Sequence, residues 1–375
     1  MPEPATCFFD HDPAELATLF GGWGLPRYRA EQVRGWVYDK GVTDPHAMSN
    51  LPHRDRELLA ERMRFTVGQI VREQQASDGT RKLLLAWPEA AAAGNAAGDA
   101  SQDARTTLPV LGERDDDDLP WHTECVMIPA GDRRTACISS QVGCPVGCKF
   151  CASGLGGLEG NLSAGRIVEQ VWWLNQHGGR ITNVVFMGMG EPLANFAAVT
   201  RAVRTLAADW AFNLSARRIT VSTVGLPAQI RRLADLELPI TLAVSLHAPN
   251  DELRRTLIPW ADRVSVDQLI DAGRYYFHRT GREVTLEYIL LGGVNDQAQH
   301  ARELARVARR LRSNINLIRY NEVAGLPFNR PRGDDVRAFQ RVLREAGVNA
   351  HIRASRGRDI AAACGQLRHE TRAAR

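Results

Sequence analysis

Cys144-Pro-Val-Gly-Cys148-Lys-Phe-Cys151 is the segment that decides the fold of this 375-residue chain, because it places three cysteines within eight residues. Iron–sulfur clusters are held by cysteine thiolates, and a [4Fe–4S] cluster takes one ligand for each iron. Three cysteines at this spacing leave one iron open to a small chelating ligand. Glycine and proline within the segment let the backbone turn tightly around such a cluster.

Two other uses of these cysteines remain as alternatives. A zinc site would take Cys137 as its fourth ligand, but structural zinc sites usually pair two CxxC or CxxH hooks, and the sequence shows no second hook. Disulfide bonds persist mainly in exported proteins. Residues 1–12 carry acidic side chains and no apolar segment, so we expect no signal peptide and a cytoplasmic protein. The spacing favours the cluster over both alternatives.

The composition predicts one large domain with a smaller appendage. Hydrophobic residues make up 44% of the chain, and no 18-residue apolar run occurs, so we expect no membrane span. Residues 301–375 contain 17 arginines, seven acidic residues and no lysine, a net charge of +10 within a chain of net charge +4. An arginine-rich region of this kind is a candidate for contact with phosphate, although arginine-rich helices also simply solvate a surface.

Three regions are predicted along the chain, namely 1–64, 65–120 and 121–375. The first is a small helical domain, and its basic, aromatic helix from Pro26 would either contact RNA or only cap the core. The second contains two short strands that turn at Asp78-Gly79, followed by a flexible insertion over 88–119 that is rich in Ala, Gly and Asp. The third is the core, with a basic C-terminal extension.

Strand-like and helix-like segments alternate regularly from residue 121. The predicted strands are 121–129, 135–142, 181–189, 217–224, 240–247, 283–291, 314–320 and 349–354. The predicted helices between them are 163–177, 196–208, 227–236, 265–280, 297–312 and 334–346. This alternation predicts an α/β fold with a mostly parallel sheet and helices outside. About six βα units are too few for a closed eight-stranded barrel, so we expect an open, partial (β/α)6 barrel.

Small and polar residues recur at the predicted carboxyl ends of these strands, where parallel α/β barrels place their chemistry. The cysteine segment follows the second strand. The other clusters are Gly188 to Pro192 after the third strand, Ser222 and Thr223 after the fourth, Ser245 to His247 after the fifth, and Tyr320 to Glu322 after the seventh. A single glycine-rich strand end is usually only a turn, but five clusters together predict an active site at this rim.

Five segments together resemble the radical S-adenosylmethionine (SAM) superfamily and, within it, the RlmN/Cfr family of rRNA adenine methyltransferases. They are Cys137-Ile-Ser-Ser-Gln-Val-Gly-Cys144, the CxxxCxxC segment, Val185-Phe-Met-Gly-Met-Gly-Glu-Pro192, Ser245-Leu-His-Ala248 and Ala362-Ala-Cys364-Gly-Gln-Leu367. The CxxxCxxC spacing alone is typical only of the superfamily. The outlying Cys137 and Cys364 are typical of the narrower family, and the resemblance covers nearly the whole chain.

The resemblance implies a role for each matching residue, and a radical SAM barrel as the fold. The ligands of a [4Fe–4S] cluster would be Cys144, Cys148 and Cys151. The residues that bind SAM would be Gly190, Glu191, Ser222, Ser245, Leu246, His247 and Asn321. The catalytic residues would be Cys364, which becomes S-methylated, Cys137, which resolves it, and Glu124, which accepts a proton.

The implied reaction methylates carbon 2 of one adenine in 23S rRNA, adenine-2503 in the family, and in some members adenine-37 of tRNAs. This electron-poor carbon cannot attack the methyl group of SAM, whereas a carbon radical can add to it. Cys364 would take a methyl group from one SAM, and a 5′-deoxyadenosyl radical from a second SAM would activate that S-methyl group for addition. Glu124 would then remove the C2 proton, and Cys137 would attack the sulfur of Cys364 to release methyladenine and form a disulfide.

Three alternatives stay open on the sequence alone. The same mechanism directed at carbon 8 is the Cfr-type activity, although Pro192 leans towards carbon 2. A radical SAM enzyme of another kind, such as a protein-radical activase, would not need Cys137 and Cys364. A non-catalytic RNA-binding protein with a structural iron–sulfur cluster would bind RNA without binding SAM.

The expected partners are 23S rRNA, possible tRNA substrates and an electron donor such as a flavodoxin system. A target adenine inside folded RNA would have to be flipped into the site. We expect a monomer, because no coiled-coil heptad or exposed apolar helix is evident in the sequence.

Overall fold

The computed structural model describes residues 6–88 and 121–367. Apart from Pro88, the predicted flexible insertion lies outside these residues, and so does the end of the arginine-rich region from residue 368. Among the described helices, none has the length and apolar character needed to cross a bilayer.

Most strands in the described parts of the chain belong to one sheet. In chain order, β1 to β14 are Thr6–Cys7, Met63–Arg64, Gln69–Gln75, Arg81–Trp87, Trp121–Ala130, Arg133–Cys137, Gln141–Gly143, Leu158–Asn161, Asn183–Phe186, Ile219–Thr223, Thr241–Ser245, Val284–Leu290, Ser313–Arg319 and Ala350–Arg353. The large sheet has ten strands in the order β14-β13-β12-β11-β10-β9-β6-β5-β4-β3. Two small sheets pair β1 with β2 and β7 with β8.

The α-helices of the described residues lie mainly between the parallel strands. In chain order, α1 to α10 are Pro13–Gly22, Arg29–Arg34, His53–Arg62, Ala164–Gly178, Phe196–Ala207, Pro227–Asp235, Asp251–Leu257, Val266–Thr280, Ala298–Ala308 and Gly333–Glu345. A π-helical turn over Gly35–Asp39 continues α2. Helix α8 begins with a capping box of Ser265 and Gln268, and it ends at Gly281, which has a φ of +66°.

The parallel part of the sheet consists of β6 and β9 to β14. Each strand pairs in parallel with the next one along the chain, and at least one α-helix lies between each pair in sequence. All seven residues of Val284–Leu290 are buried, as expected for a strand covered on both faces. The structure therefore confirms the predicted α/β fold, with six βα units in an open sheet.

An antiparallel part extends this sheet through β5, β4 and β3. The predicted turn at Asp78-Gly79 joins β3 and β4, with Gly79 at a φ of +82°. Cys137 lies where the two parts meet, because it pairs antiparallel with Val126 of β5 and parallel with Val185 of β9. The backbone of Cys137 is therefore held by strand pairing on both sides.

One predicted strand is interrupted in the structure, and one helix of the structure was not predicted. The predicted strand 135–142 is interrupted after Cys137, because Ser140 N turns to donate to Met189 O and the chain then enters the separate strand β7. Helix α7 was not predicted, since its seven residues are too few to show a helical period. Asn250 caps its first turn by accepting from Leu253 N.

The N-terminal helical region packs against α4. Trp172 Nε1 donates to Val37 O at 3.0 Å, and the buried carboxylate of Glu169 accepts from Val67 N at 2.9 Å and Gly68 N at 2.8 Å. These bonds satisfy buried backbone groups that would otherwise lack partners. The predicted boundaries at residues 64 and 120 stay predictions.

Candidate active site

A cavity opens at the carboxyl ends of the parallel strands, and we call it the central cavity. The predicted site residues in its lining are Cys144, Cys148, Cys151, Gly190, Glu191, Ser222, Ser245, His247 and Cys364. These residues come from separate strand ends and loops along more than 200 residues of sequence. The sheet thus brings most of the predicted site residues to one place.

The three-cysteine segment forms a tight loop beside this cavity. Cys144 N donates to Gly157 O at 2.7 Å, and Gly143 has a φ of +71°. A Cβ atom at Gly143 would lie 2.0 Å from the same carbonyl oxygen, so a larger residue would displace the backbone. Lys149 N donates to Leu257 O at 3.0 Å and ties the loop to α7.

The three thiols of this loop share one buried environment. Burial raises the pKa of Cys144 to about 12, and burial with neighbouring cysteines also raises the pKa of Cys148 and Cys151. Such thiols become thiolates when a metal centre displaces their protons. Within residues 6–88 and 121–367, no three ligating side chains converge tightly enough to hold a single metal ion. This donor set fits a cluster with one thiolate per iron better than one zinc ion.

Gly190 and Glu191 bridge the ends of two strands. Gly190 has a φ of +103°, and a Cβ atom there would lie 2.6 Å from the side chain of Gln141. The carboxylate of Glu191 accepts from Leu193 N at 3.0 Å and from Val224 N at 2.7 Å. Burial raises the pKa of Glu191 to about 7. The loop after β9 is therefore fixed to the end of β10 by one buried carboxyl group.

Polar side chains at the ends of β10 and β11 form the opposite wall. Ser222 Oγ and Ser245 Oγ lie 3.4 Å apart. His247 has a left-handed backbone with a φ of +59°, and its Nδ1 accepts from Ile289 N at 3.1 Å. Burial lowers the pKa of His247 to about 3, so the imidazole is neutral and carries its proton on Nε2. Phe150 of the cysteine loop packs edge-on against this ring at 5.1 Å.

Two residues predicted to bind SAM do not line the central cavity. Leu246 is fully buried, and its backbone N donates to Glu287 O at 3.0 Å. Asn321 lies in the wall of a different cavity, where its Oδ1 accepts from Arg330 Nη1 at 2.9 Å. Its Nδ2 donates to Cys364 O at 3.4 Å, so Asn321 contacts the site through the Cys364 backbone.

A second, smaller cavity adjoins the central one, and Cys364 lies in the walls of both. Met187 and Ile318 are also common to both walls, so these three side chains separate the two spaces. Cys137 lines only the second cavity and is therefore not placed to complete a zinc site with the three-cysteine loop. The thiols of Cys137 and Cys364 are both free in this structure.

The segment that carries Cys364 is anchored directly to the cysteine loop. Ala152 N donates to Gly365 O at 2.8 Å, and Ser153 Oγ donates to Leu367 O at 2.6 Å. These bonds hold Cys364 against the rim of the central cavity.

Glu124 lies in neither cavity wall. Its carboxylate forms a buried ion pair with Lys82 Nζ at 2.7 Å, and both side chains are at most 4% exposed. Lys82 Nζ also lies 3.3 Å from Ala361 O, three residues before Cys364. Glu124 is thus close to the Cys364 segment but faces a cation rather than an open space, and its role as proton acceptor stays a prediction.

Two charged residues that the sequence analysis did not select lie next to these cavities. Glu287 is buried in the wall of the central cavity, where its Oε1 accepts from Asn316 Nδ2 at 3.0 Å, and Oε2 has no hydrogen-bond partner among the described residues. Arg353 lines the second cavity and donates from Nη1 to Met187 Sδ at 3.3 Å. For Glu287 the available signal was a charged residue inside an otherwise mostly apolar strand segment.

Arg254 is a further residue that the sequence analysis missed. It binds backbone carbonyl groups of the loops next to the central cavity. It is fully buried, and burial lowers its pKa to about 10. Its guanidinium donates to Val224 O at 2.7 Å, Leu246 O at 3.2 Å and Val264 O at 3.3 Å. One side chain therefore satisfies the carbonyl groups that follow β10 and β11.

Replacing Arg254 by methionine is expected to destabilise the protein by about 3 kcal/mol or more, because several buried carbonyl groups would lose a charged donor. Chemical denaturation of the purified variant measures this loss. The control is Arg255→Met, since Arg255 is the exposed neighbour on the same helix and should change stability by less than about 0.5 kcal/mol. Equal stability of the two variants would contradict the supporting role of Arg254.

Comparison with protein families gives two matches that together span most of the described chain. The Radical SAM superfamily matches residues 138–305, and the Ribosomal RNA large subunit methyltransferase N-terminal domain matches residues 7–65. The second match falls on the N-terminal helical region, and the first covers the cysteine loop and most of the parallel strands.

Comparison with individual proteins gives long matches at high identity. Probable dual-specificity RNA methyltransferases RlmN from Salinibacter ruber and Gloeobacter violaceus are 44% and 43% identical to the chain. The alignments cover 95% of this chain in both cases and 92% and 93% of the relatives. The crystal structure of a radical SAM methyltransferase from Sphaerobacter thermophilus is 43% identical, with a TM-score of 0.86, and the match covers 97% of this chain and 99% of that one.

Proposed function

The chain belongs to the RlmN family of radical SAM RNA methyltransferases, and from this premise we propose that it methylates carbon 2 of adenine-2503 in 23S rRNA. We include adenine-37 of some tRNAs as a second substrate in the proposal. The named relatives are dual-specificity RNA methyltransferases, which supports two RNA substrates without naming them.

The observation that carries the proposal is the position of Cys364 between two cavities. One cavity contains the three-cysteine loop, and the other contains Cys137. A carbon atom attached to Cys364 Sγ would be accessible from the first cavity and would lie near the thiol that must later release it. A radical SAM enzyme without a cysteine-bound intermediate has no use for this arrangement.

Membership of the superfamily implies a [4Fe–4S] cluster and SAM. We propose that Cys144, Cys148 and Cys151 hold the cluster, since their thiols share one buried wall and suit a ligand set of one thiolate per iron. When bound, the cluster and SAM supply the methyl group and the one-electron chemistry that an electron-poor carbon requires. Glu191 and the two serines of the opposite wall would orient SAM.

The residues of the chain then have separate tasks in the proposal. Cys364 Sγ carries the one-carbon unit and transfers it to the base. Glu124 accepts the proton from carbon 2, for which its ion pair with Lys82 would have to open. Cys137 Sγ attacks Cys364 Sγ and releases the product. The geometry needed for the last of these steps is the presence of both sulfurs in the wall of one cavity.

We predict that the reconstituted enzyme, incubated anaerobically with SAM, a reductant and unmodified 23S rRNA, produces 2-methyladenosine. Digestion of the RNA and mass spectrometry of its nucleosides measure the product, and a transcript with guanine at the target position is the control. A tRNA substrate tested in parallel measures the second activity. Appearance of 8-methyladenosine would move the reaction to the Cfr-type carbon, and SAM cleavage without methylated adenine would refute the substrate assignment.

The proposal also contains three statements about the cellular setting. A flavodoxin system would reduce the cluster, the enzyme would act as a monomer, and it would act in the cytoplasm. Size-exclusion chromatography with light scattering tests the second statement, and methylation driven by purified flavodoxin and its reductase tests the first.

A further inference from the structure

Arg353 is a half-buried cation in the wall of the second cavity, and the mechanism described above gives it no task. The strand β14 ends at Arg353, next to Ile318 of β13, which lies in the partition between the cavities. Its guanidinium contacts Met187 Sδ at 3.3 Å. Arg353 forms no ion pair within the described residues, and the buried carboxylate of Glu287 is the one acidic side chain that raises its pKa.

Two thiols share the second cavity with this contact, those of Cys137 and Cys364. The backbone N–H of Met187 donates to the sulfur of Cys137, and the side chain of Met187 contacts Arg353. Arg353, Cys137 and Cys364 all line the second cavity. The guanidinium and both sulfurs therefore face one small space in which an anion formed on sulfur would have a cation beside it.

The electrostatic effects in this space are consistent with that geometry. Burial raises the pKa of Cys137 to about 12, Cys364 raises it further, and Arg353 and the Met187 N–H lower it. In return, the pKa of Arg353 is raised, first by Cys364 and then by Glu287 and Cys137. The other titratable or charged groups around Cys137 are Cys125 on β5 and the ion pair of Glu124 and Lys82. Arg353 is the cation among them that acts directly on the Cys137 sulfur.

We propose that Arg353 is a positioning residue that stabilises the thiolate of Cys137 for its attack on the sulfur of Cys364. This inference rests on the proposed function and assigns an electrostatic cause to its last step. A buried thiol with no cation nearby would remain protonated and would be a poor nucleophile.

The step is balanced within the two cysteines, the RNA adduct and one proton from solvent. The thiolate of Cys137 forms a bond to Cys364 Sγ, and the bond between that sulfur and the methylene carbon on adenine breaks. The bonding pair stays on carbon, which takes a proton and becomes the methyl group. The two sulfurs are oxidised to a disulfide, and a thiol reductant restores them after turnover.

The experiment compares Arg353→Met with Arg353→Lys and Arg356→Met in the reconstituted holoenzyme. Arg356 lines the same cavity and is a matched control, because it is exposed and lies 3.9 Å from Asp78. We expect Arg353→Met to release methyladenine about tenfold more slowly at pH 7.5, because a cation near a thiol shifts its ionisation by about one unit or more. Denaturing gels would show RNA covalently joined to the protein. Raising the pH towards 9 should restore release, and Arg353→Lys should retain most of it.

A second measurement does not need the cluster or SAM. Alkylation of the Cys137 peptide by iodoacetamide, followed by mass spectrometry across pH in cluster-free protein, should shift to higher pH in Arg353→Met and remain unchanged in Arg356→Met. Unchanged alkylation together with normal product release would overturn the inference. A different result would contradict the proposed function itself: no methyladenine from the wild-type enzyme and no covalent RNA adduct with Cys137→Ala.

Discussion

Replacement of Cys364 by alanine is expected to abolish methylation of RNA, with a loss of more than about a thousandfold, while SAM cleavage by the reduced cluster continues. The reason is that Cys364 Sγ carries the one-carbon unit in the proposed mechanism. Without this nucleophile the covalent intermediate cannot form, so the whole reaction pathway is lost. The side chain lies in the partition between the two cavities and is not one of the three proposed cluster ligands.

Two assays separate these effects in the same sample. Chromatography of 5′-deoxyadenosine measures SAM cleavage, and nucleoside mass spectrometry measures methylation. The control is Cys125→Ala, because Cys125 is a buried cysteine of β5 that lines neither cavity. Methylation by the Cys364 variant at the wild-type rate would rule out the two-cysteine mechanism and leave a radical SAM enzyme of another kind.

Replacement of Cys148 by serine is expected to remove the cluster and, with it, both SAM cleavage and methylation. A serine hydroxyl is a much poorer iron ligand than a thiolate. Besides the three cysteines of the loop, the lining of the central cavity contains only Cys364 as a further cysteine. Iron analysis should fall from about four atoms per chain to about one or fewer. The visible absorbance of the cluster should fall in parallel.

The matched control for this experiment is Cys7→Ser, since Cys7 lies in β1 of a separate two-stranded sheet and does not line the central cavity. It should reconstitute with the same iron content as the wild-type protein. Full iron content and full SAM cleavage in the Cys148 variant would show that the loop does not hold the cluster. About one zinc atom per chain and no iron in the wild-type protein would instead favour the zinc alternative.

The parallel strands were predictable because burial on both faces gives them short apolar segments with distinctive residues at their ends. The positions of Ser222, Ser245 and His247 in one cavity follow from that, since carboxyl ends of parallel strands share one edge of the sheet. The cysteine spacing was informative because its ligands are close in sequence. These features depend on local pattern, which a sequence displays directly.

Other features depend on contacts between distant segments, and the sequence did not reveal them. Glu124 is paired with Lys82 of the neighbouring strand, and only the register of β4 with β5 brings the two together. Arg254 donates to carbonyl groups at the ends of two other strands. Nothing in the surrounding sequence distinguishes it from a surface arginine. Arg353 of β14 and Cys137 of β6 line one cavity although these strands are at opposite ends of the parallel part of the sheet, and the sequence does not show that proximity.

The anchoring of the Cys364 segment has a consequence for the order of folding. The hydrogen bond from Ser153 to Leu367 joins residues 214 positions apart, so its formation carries the entropy cost of closing a very long loop. Contacts of such high sequence separation form late in folding. The cysteine loop is held instead by nearer partners such as Gly157. We therefore expect a nascent chain to gain a site competent for iron before it gains the wall that contains Cys364, and expect that wall to detach first when the protein is destabilised.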